Sequence, residues 1–209
     1  MWGKWIDCRV RPGAHRTFAV GQRRWAVLAG EPGLVGQVGG WSRPGDQALV
    51  LGLWADEEAY GRFMRERHDT VATEAAQQGS WTAIQISAGP VVQAFPGAAA
   101  SLADALKDAT LLRAADCLLR PGRTEHFLEV QRQVWAPGMA AAGGMLAGTV
   151  TRLAADRYLV TTLWTSPAAH AAYTADALPA LRARADVPAD VRTLTGHALP
   201  LEPSWRVLP

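Results

Sequence analysis

This 209-residue sequence predicts an α+β chain made of two copies of one unit, each running β-α-β-β-α-β. Three observations carry the prediction. Asp7-Cys8 and Pro12-Gly13, followed by Phe18 and Gln22, recur 109 positions later as Asp116-Cys117, Pro121-Gly122, Phe127 and Gln131. Asp46, Leu49, Val50, Leu53 and Trp54 recur at an offset of 110 as Asp156, Leu159, Val160, Leu163 and Trp164. Between these anchors, short apolar runs alternate with helical periodicity in the same order in both halves. A period near half the chain gives two domains of common size rather than a solenoid.

Taken in order, Lys4 to Arg11 reads as a strand closed by the turn pair Pro12-Gly13. Phe18 to Gly30 reads as a helix, with Phe18, Gln22, Trp25 and Ala29 at helical spacing and Gly30 as its stop. Leu34 to Trp41 is a strand broken by glycines, Arg43-Pro44-Gly45-Asp46 a turn, and Gln47 to Trp54 a continuous apolar strand. Asp56 caps the next helix, with Glu57 and Glu58 at its positive end. That helix runs to about Gln78, and Trp81 to Ile86 supplies the fourth strand. The second half repeats the order over 114–120, 124–137, 145–153, 157–164, 167–184 and 191–199. Domains are expected at 1–88 and 110–209, joined by a connector at 89–109 in which Leu102 and Leu106 mark a short helix. This order is the ferredoxin-like arrangement. A sheet with helices on one face must cover the other. Two facing sheets in one chain, an intramolecular dimeric α/β barrel with a ligand cavity, are therefore expected.

Bulk properties exclude several classes. Hydrophobic residues make up 49% and charged residues 19%, an ordinary globular composition. The net charge is +2 and the basic residues are scattered, so no nucleic acid is expected as a partner. No run reaches the ~20 apolar residues of a membrane span and no signal peptide is evident, which gives the expectation of a cytoplasmic chain without a membrane partner. Cys8 and Cys117 read as buried free thiols, a disulfide between them being the other reading. No Cys/His spacing suits a metal, and no flavin, nicotinamide or phosphate motif is present, so no metal and no cofactor are expected, with haem left open.

Candidate site residues are those on which the two copies disagree. His68 falls on the Tyr60, Phe63, Met64, Val71, Ala75 stripe, where the sister copy has Leu178. It reads either as a core histidine or as a general base, metal ligand or haem ligand. Asp69 is not expected to orient it, because adjacent helical residues point about 100° apart. Gln37, Gly39, Gly40 and Trp41 have Gly148, Val150, Thr151 and Arg152 as counterparts. The glycines mark either a bulge or the close approach of a ligand walled by Trp41. The sequence holds nine tryptophans; Trp25 and Trp41 lack aromatic counterparts, while Trp54 is matched by Trp164. Trp25, Trp41 and Trp54, with Phe63 and Met64, are expected to line a pocket in the first half suited to a flat aromatic ligand.

These same elements carry a resemblance. Lys4-Trp5-Ile6-Asp7-Cys8, Gln22 with Trp25, Gly36-Gln37 with Gly39-Gly40-Trp41, Trp54, Phe63-Met64 with His68-Asp69, and Gln78 resemble the YdbC-like family of uncharacterised bacterial domains. The likeness runs from Met1 to about Ile86. The second half is similar only to the broader dimeric α/β-barrel group, through Thr162-Leu163-Trp164-Thr165-Ser166. That group includes antibiotic-biosynthesis monooxygenases, polyketide cyclases and haem-degrading oxygenases. The resemblance implies a cofactor-independent monooxygenase or cyclase acting on an apolar or aromatic secondary metabolite, as a monomeric pseudo-dimer or a homodimer. A haem- or ligand-binding protein with His68 as ligand, and a non-catalytic stress or scaffold protein, are the alternatives.

Overall fold

The computed structural model describes residues 1–42 and 45–209; the Arg43-Pro44 part of the expected turn lies outside them. Two compact units divide the chain. The first comprises Met1–Pro90 with Leu199–Pro209, the second Val91–Ala198. Both carry the ferredoxin-like order the repeat predicts.

In the first unit, β1 (Trp2–Val10) pairs antiparallel with β3 (Gln47–Trp54) on one side and β4 (Trp81–Pro96) on the other, and β2 (Leu34–Ser42) closes the far side of β3. Helices α1 (His15–Arg24), α2 (Glu57–Glu66) and α3 (His68–Ala75) cover one face. Asp56 caps α2 by accepting from the Ala59 N–H at 2.8 Å, as its sequence position implies. The long helix expected from Asp56 to about Gln78 is broken at Arg67, whose backbone leaves the helical region (φ −131°, ψ −25°). From the break Arg67 reaches the carboxylate of buried Glu31. On the helix-covered face the strand register sets Lys4 and Gln37 on either side of Gly52, and Trp2 beside Trp54.

The second unit repeats the plan with β5 (Leu111–Leu119), β6 (Met145–Arg152), β7 (Arg157–Trp164) and β8 (Val191–Pro200), in the order β6-β7-β5-β8. Its first helical segment does not run evenly from Thr124 to Pro137. It is α5 (Thr124–Val130), a π-turn at Gln131–Trp135 and α6 (Ala136–Ala140). Pro137, with no N–H to donate, explains why a regular α-ladder does not pass through this region. The second helical segment is α7 (Pro167–Asp176) and α8 (Leu178–Ala185), separated at Ala177, with Pro179 in the first turn of α8. A last short helix, α9 (Val187–Asp190), leads into β8.

Two segments depart from the expected boundaries in a related way. β4 does not stop at Ile86 but continues to Pro96, and its last residues hydrogen-bond to β6 within the second unit. Residues 199–209 belong to the first unit, where Val207 bridges Gln37. Each repeat thus ends in the other's unit. The connector expected at 89–109 reduces to 97–110, with the expected helix as α4 (Leu102–Asp108) capped by Ser101. No helix among the described residues is long and apolar enough to cross a membrane.

Candidate functional site

The residues expected to share one first-half pocket fall into two groups. Gly39, Gly40 and Trp41 face the chain's own C-terminal segment. Gln37 and Val207 exchange both backbone hydrogen bonds, at 2.8 and 2.9 Å, and Glu202 N–H donates to the Gly39 carbonyl at 2.9 Å. A Cβ on Gly40 would lie 2.1 Å from the Pro200 carbonyl oxygen, and one on Gly39 3.2 Å from the Trp205 ring. Trp205 is 1% exposed and sits with its centroid 5.2 Å from Trp41 and 5.6 Å from Phe18. The glycines therefore admit backbone and indole from residues 199–205. The space over them, expected to take a ligand, is packed by the chain's own C-terminal segment.

The second group gathers Trp25, Trp54, Phe63, Met64 and His68 around α2 and α3. Trp54 and Phe63 are buried and stacked at 5.0 Å. The His68 side chain is 20% exposed, with its ring 5.9 Å from both Trp25 and Phe63. Its Nδ1 does meet Asp69 Oδ1, at 2.9 Å, against expectation. The break at Arg67 makes these the first two residues of α3, so neither is held in a helix interior. Trp25 donates its indole N–H to Gln77 at 3.0 Å, and Gln77 donates in turn to the Phe18 carbonyl and to Gln22.

Sequence reasoning passed over the cation at the centre of this group. Lys4 is 7% exposed, with its Nζ 5.8 Å from the Trp25 ring and 5.9 Å from Tyr60. No carboxylate pairs with it among the described residues, and burial alone lowers its pKa to about 8. The signal was present in the sequence, since Lys4 and Arg113 are equivalent at the 109 offset.

In the second unit that equivalent cation opens onto a cavity of about 370 Å³ between the sheet and α5, α6, α8 and α9. Arg113, Gln131, Arg182 and Asp190 supply polar lining, and Phe127, Trp135 and Met139 apolar lining. Neither His68 nor Trp25, Trp41 or Trp54, expected to line a pocket in the first half, lines this cavity. The difference follows from substitutions between the copies. Where the first unit has Trp25, His68 and Gln77, the second has Val134, Leu178 and Val187, and the smaller side chains leave space.

The cavity's electrostatics are unbalanced. The Arg113 guanidinium lies deep and burial lowers its pKa, against the pull of Tyr173 and Cys117, with a smaller lowering from Arg182. No hydrogen bond or ion pair holds Arg113 among the described residues. The Tyr173 hydroxyl is buried without a partner; burial raises its pKa against the pull of Arg113 and Arg182. Asp190, 2% exposed, is committed to Arg123 and His126 at 2.8 Å each. Burial, then Arg113, lowers the pKa of His170. Cys117 borders the cavity as a free thiol pushed up to about 12 by burial, and Cys8 is a buried free thiol at about 11. Both are protonated and weakly nucleophilic. No group of three or more potential metal ligands occurs among the described residues.

Comparison with known proteins fits this division. A family model described as a domain of unknown function, DUF4937, matches residues 3–88. The chain is 30% identical over 87 residues to "Uncharacterized protein YdbC" of Bacillus subtilis (strain 168), covering 40% of this chain and 73% of that one. Among solved structures it is similar to a Fusobacterium nucleatum protein named "Putative monooxygenase", with a TM-score of 0.75 at 10% identity over 96% of this chain and 91% of the other. An "anthrone oxidase-like protein" matches with a TM-score of 0.65 at 15% identity, covering 96% and 91% of the two chains. At these identities the likeness is one of fold, and it extends along both units.

Proposed function

The chain belongs to the DUF4937 family, whose function is unknown, and we propose that this member is an enzyme that oxidises a small aromatic molecule in the cavity of its second unit. The supporting observation is the cavity itself: mostly apolar walls with one unpaired guanidinium at depth. Such a space suits a flat apolar substrate with one acidic group, a phenol or a ketone with an acidic C–H. Beside Arg113 and Arg182 the ionised form is stabilised, since preorganised cations act most strongly where water is excluded. An electron-rich enolate or phenolate can itself deliver electrons to dioxygen, so no cofactor is part of this reading. The names of the structural neighbours, a monooxygenase and an anthrone oxidase-like protein, point to the same class of reaction.

Anthrone provides the test, because its oxidation consumes one O2 and yields anthraquinone and water. Oxygen uptake above the buffer rate is expected from purified protein, and its loss when Leu178→Trp fills the cavity. Uptake unaffected by Leu178→Trp would overturn the site. The purified protein is expected to lack a Soret band; such a band, lost in His68→Ala, would establish the haem-binding alternative instead.

A further inference from the structure

The first unit holds a group of buried donors with nothing to donate to. On its helix-covered face Trp2, Lys4, Gly52, Trp54 and Gln37 are neighbours by register, with Lys4 and Gln37 flanking Gly52. Lys4 and Gln37 are each 7% exposed. The Trp2 Nε1 and Gln37 Nε2 atoms are buried without partners. Trp54 is 2% exposed, with its indole nitrogen beside Gly52. Tyr60 ties the group together, with its ring 6.5 Å from Trp2, 5.9 Å from Trp54 and 5.9 Å from Lys4 Nζ.

The sister unit shows what ordinary satisfaction of this row looks like. At the position of Gly52 it has Thr162, whose hydroxyl accepts the Trp164 indole N–H at 2.9 Å. In the first unit that hydroxyl is gone. A Cβ built on Gly52 meets only Lys4 Cβ and Trp54 Nε1, each at an ordinary contact distance of 3.8 Å, so the middle of the row takes an added group without a clash. The Trp2 and Gln37 donors cost stability if left unmet, since each unmet buried donor carries a desolvation penalty of about 1–3 kcal/mol, and Lys4 adds an unpaired charge beside them. One anion resolves all of it.

We propose that the first unit binds a small carboxylate over Gly52, held by Lys4 and by the N–H groups of Trp2, Trp54 and Gln37. The aromatic walls favour a planar anion over a spherical one, and the ammonium supplies the charge-assisted bond. The site is independent of the second unit's cavity and shares no residue with it.

The chain contains two lysines, Lys4 and the exposed Lys107, so ε-¹³C-lysine labelling gives one reporter and one internal control. Sodium formate is titrated at constant ionic strength against sodium gluconate, a much bulkier carboxylate, with sodium chloride as a parallel arm. A saturable shift of the Lys4 signal with formate, and none at Lys107, is expected. Gly52→Thr restores the sister unit's acceptor and fills the space, and is expected to raise the apparent Kd at least about tenfold. Gln37→Leu should weaken binding in the same direction. A Lys4 signal that does not saturate, or moves in step with Lys107, overturns the site. Chloride binding as tight as formate overturns the choice of a carboxylate.

Discussion

The same register row, read in the two units, shows how duplication divides one scaffold into two environments. In the second unit the row is Arg113, Thr162 and Gly148: Thr162 satisfies Trp164, Phe95 lies over Gly148, and the cation looks into an open cavity. In the first unit the row is Lys4, Gly52 and Gln37: the glycine has moved to the middle and the cation is enclosed by aromatic rings. Backbone pairing is preserved, so the strands kept their geometry while the position of the missing side chain changed. At the edge of the row Phe95 fills the space the glycine leaves, whereas at the centre, over Gly52, only Lys4 and Trp54 come within 4 Å.

The largest expected effect probes the segment that closes the first unit. Trp205 is 1% exposed and packs on Phe18 and Trp41, so Trp205→Ala should destabilise by about 3–5 kcal/mol. Phe95→Ala, where the other exchanged segment meets Gly148, is the matched variant for the second unit. Urea unfolding of both tells the units apart. If Trp205→Ala changes stability by under about 1 kcal/mol, the tail is an accessory and not part of the first unit's core.

Next in size is the buried amine. A basic group whose folded pKa is depressed holds fewer protons than in the unfolded chain, so stability rises with pH across the gap. For Lys4 that window runs from about 8 to 10.5. Lys4→Met should therefore stabilise the protein at pH 7 by up to about 3 kcal/mol, and the difference from wild type should shrink as pH climbs through the window. Cys8, Cys117, Tyr60 and Tyr173, whose pKa values burial raises, oppose the trend at high pH in both proteins and cancel in the difference. A destabilised Lys4→Met would mean that the rings gain more from the cation than its burial costs.

In the second unit the cation is a matter of binding rather than folding. Arg113→Met should weaken the anionic probe 1-anilinonaphthalene-8-sulfonate at least about tenfold, while the uncharged N-phenyl-1-naphthylamine keeps its affinity. Fluorescence titration separates the outcomes. Loss of both probes alike would leave the cavity as a purely apolar space.

The parts legible in the sequence were those fixed by local rules. The run Gln47–Trp54 is a strand at the expected ends because both its faces are apolar, and Asp56 caps α2 because nothing competes for its carboxylate. The extension of β4 was not legible, since Ser87-Ala88-Gly89-Pro90 carries the marks of a chain break and only pairing across the sheet holds it extended. Gly39 and Gly40 were legible as a close approach, yet the approaching group is residues 199–205, about 160 positions away, which no local pattern encodes. The cavity was missed for a related reason: it arises where side chains are small, and the unusual large residues, Trp25, Trp41 and His68, belong to the filled unit.

The smallest expected effect concerns the most conspicuous of those residues. His68→Leu copies Leu178 of the sister unit into a position already packed by Trp25 and Phe63. The imidazole loses its contact with Asp69, whose side chain is 99% exposed and so contributes little in water. Leucine replaces a half-buried ring with an aliphatic group of similar size. Stability should stay within about 1 kcal/mol, and oxygen uptake on anthrone should be unchanged. A general base removed from its site would instead cost about 10²–10⁴ in rate. A loss of that size in His68→Leu, with the second unit's probe binding intact, would return the chemistry to the first unit and leave the cavity beside Arg113 as a binding site only.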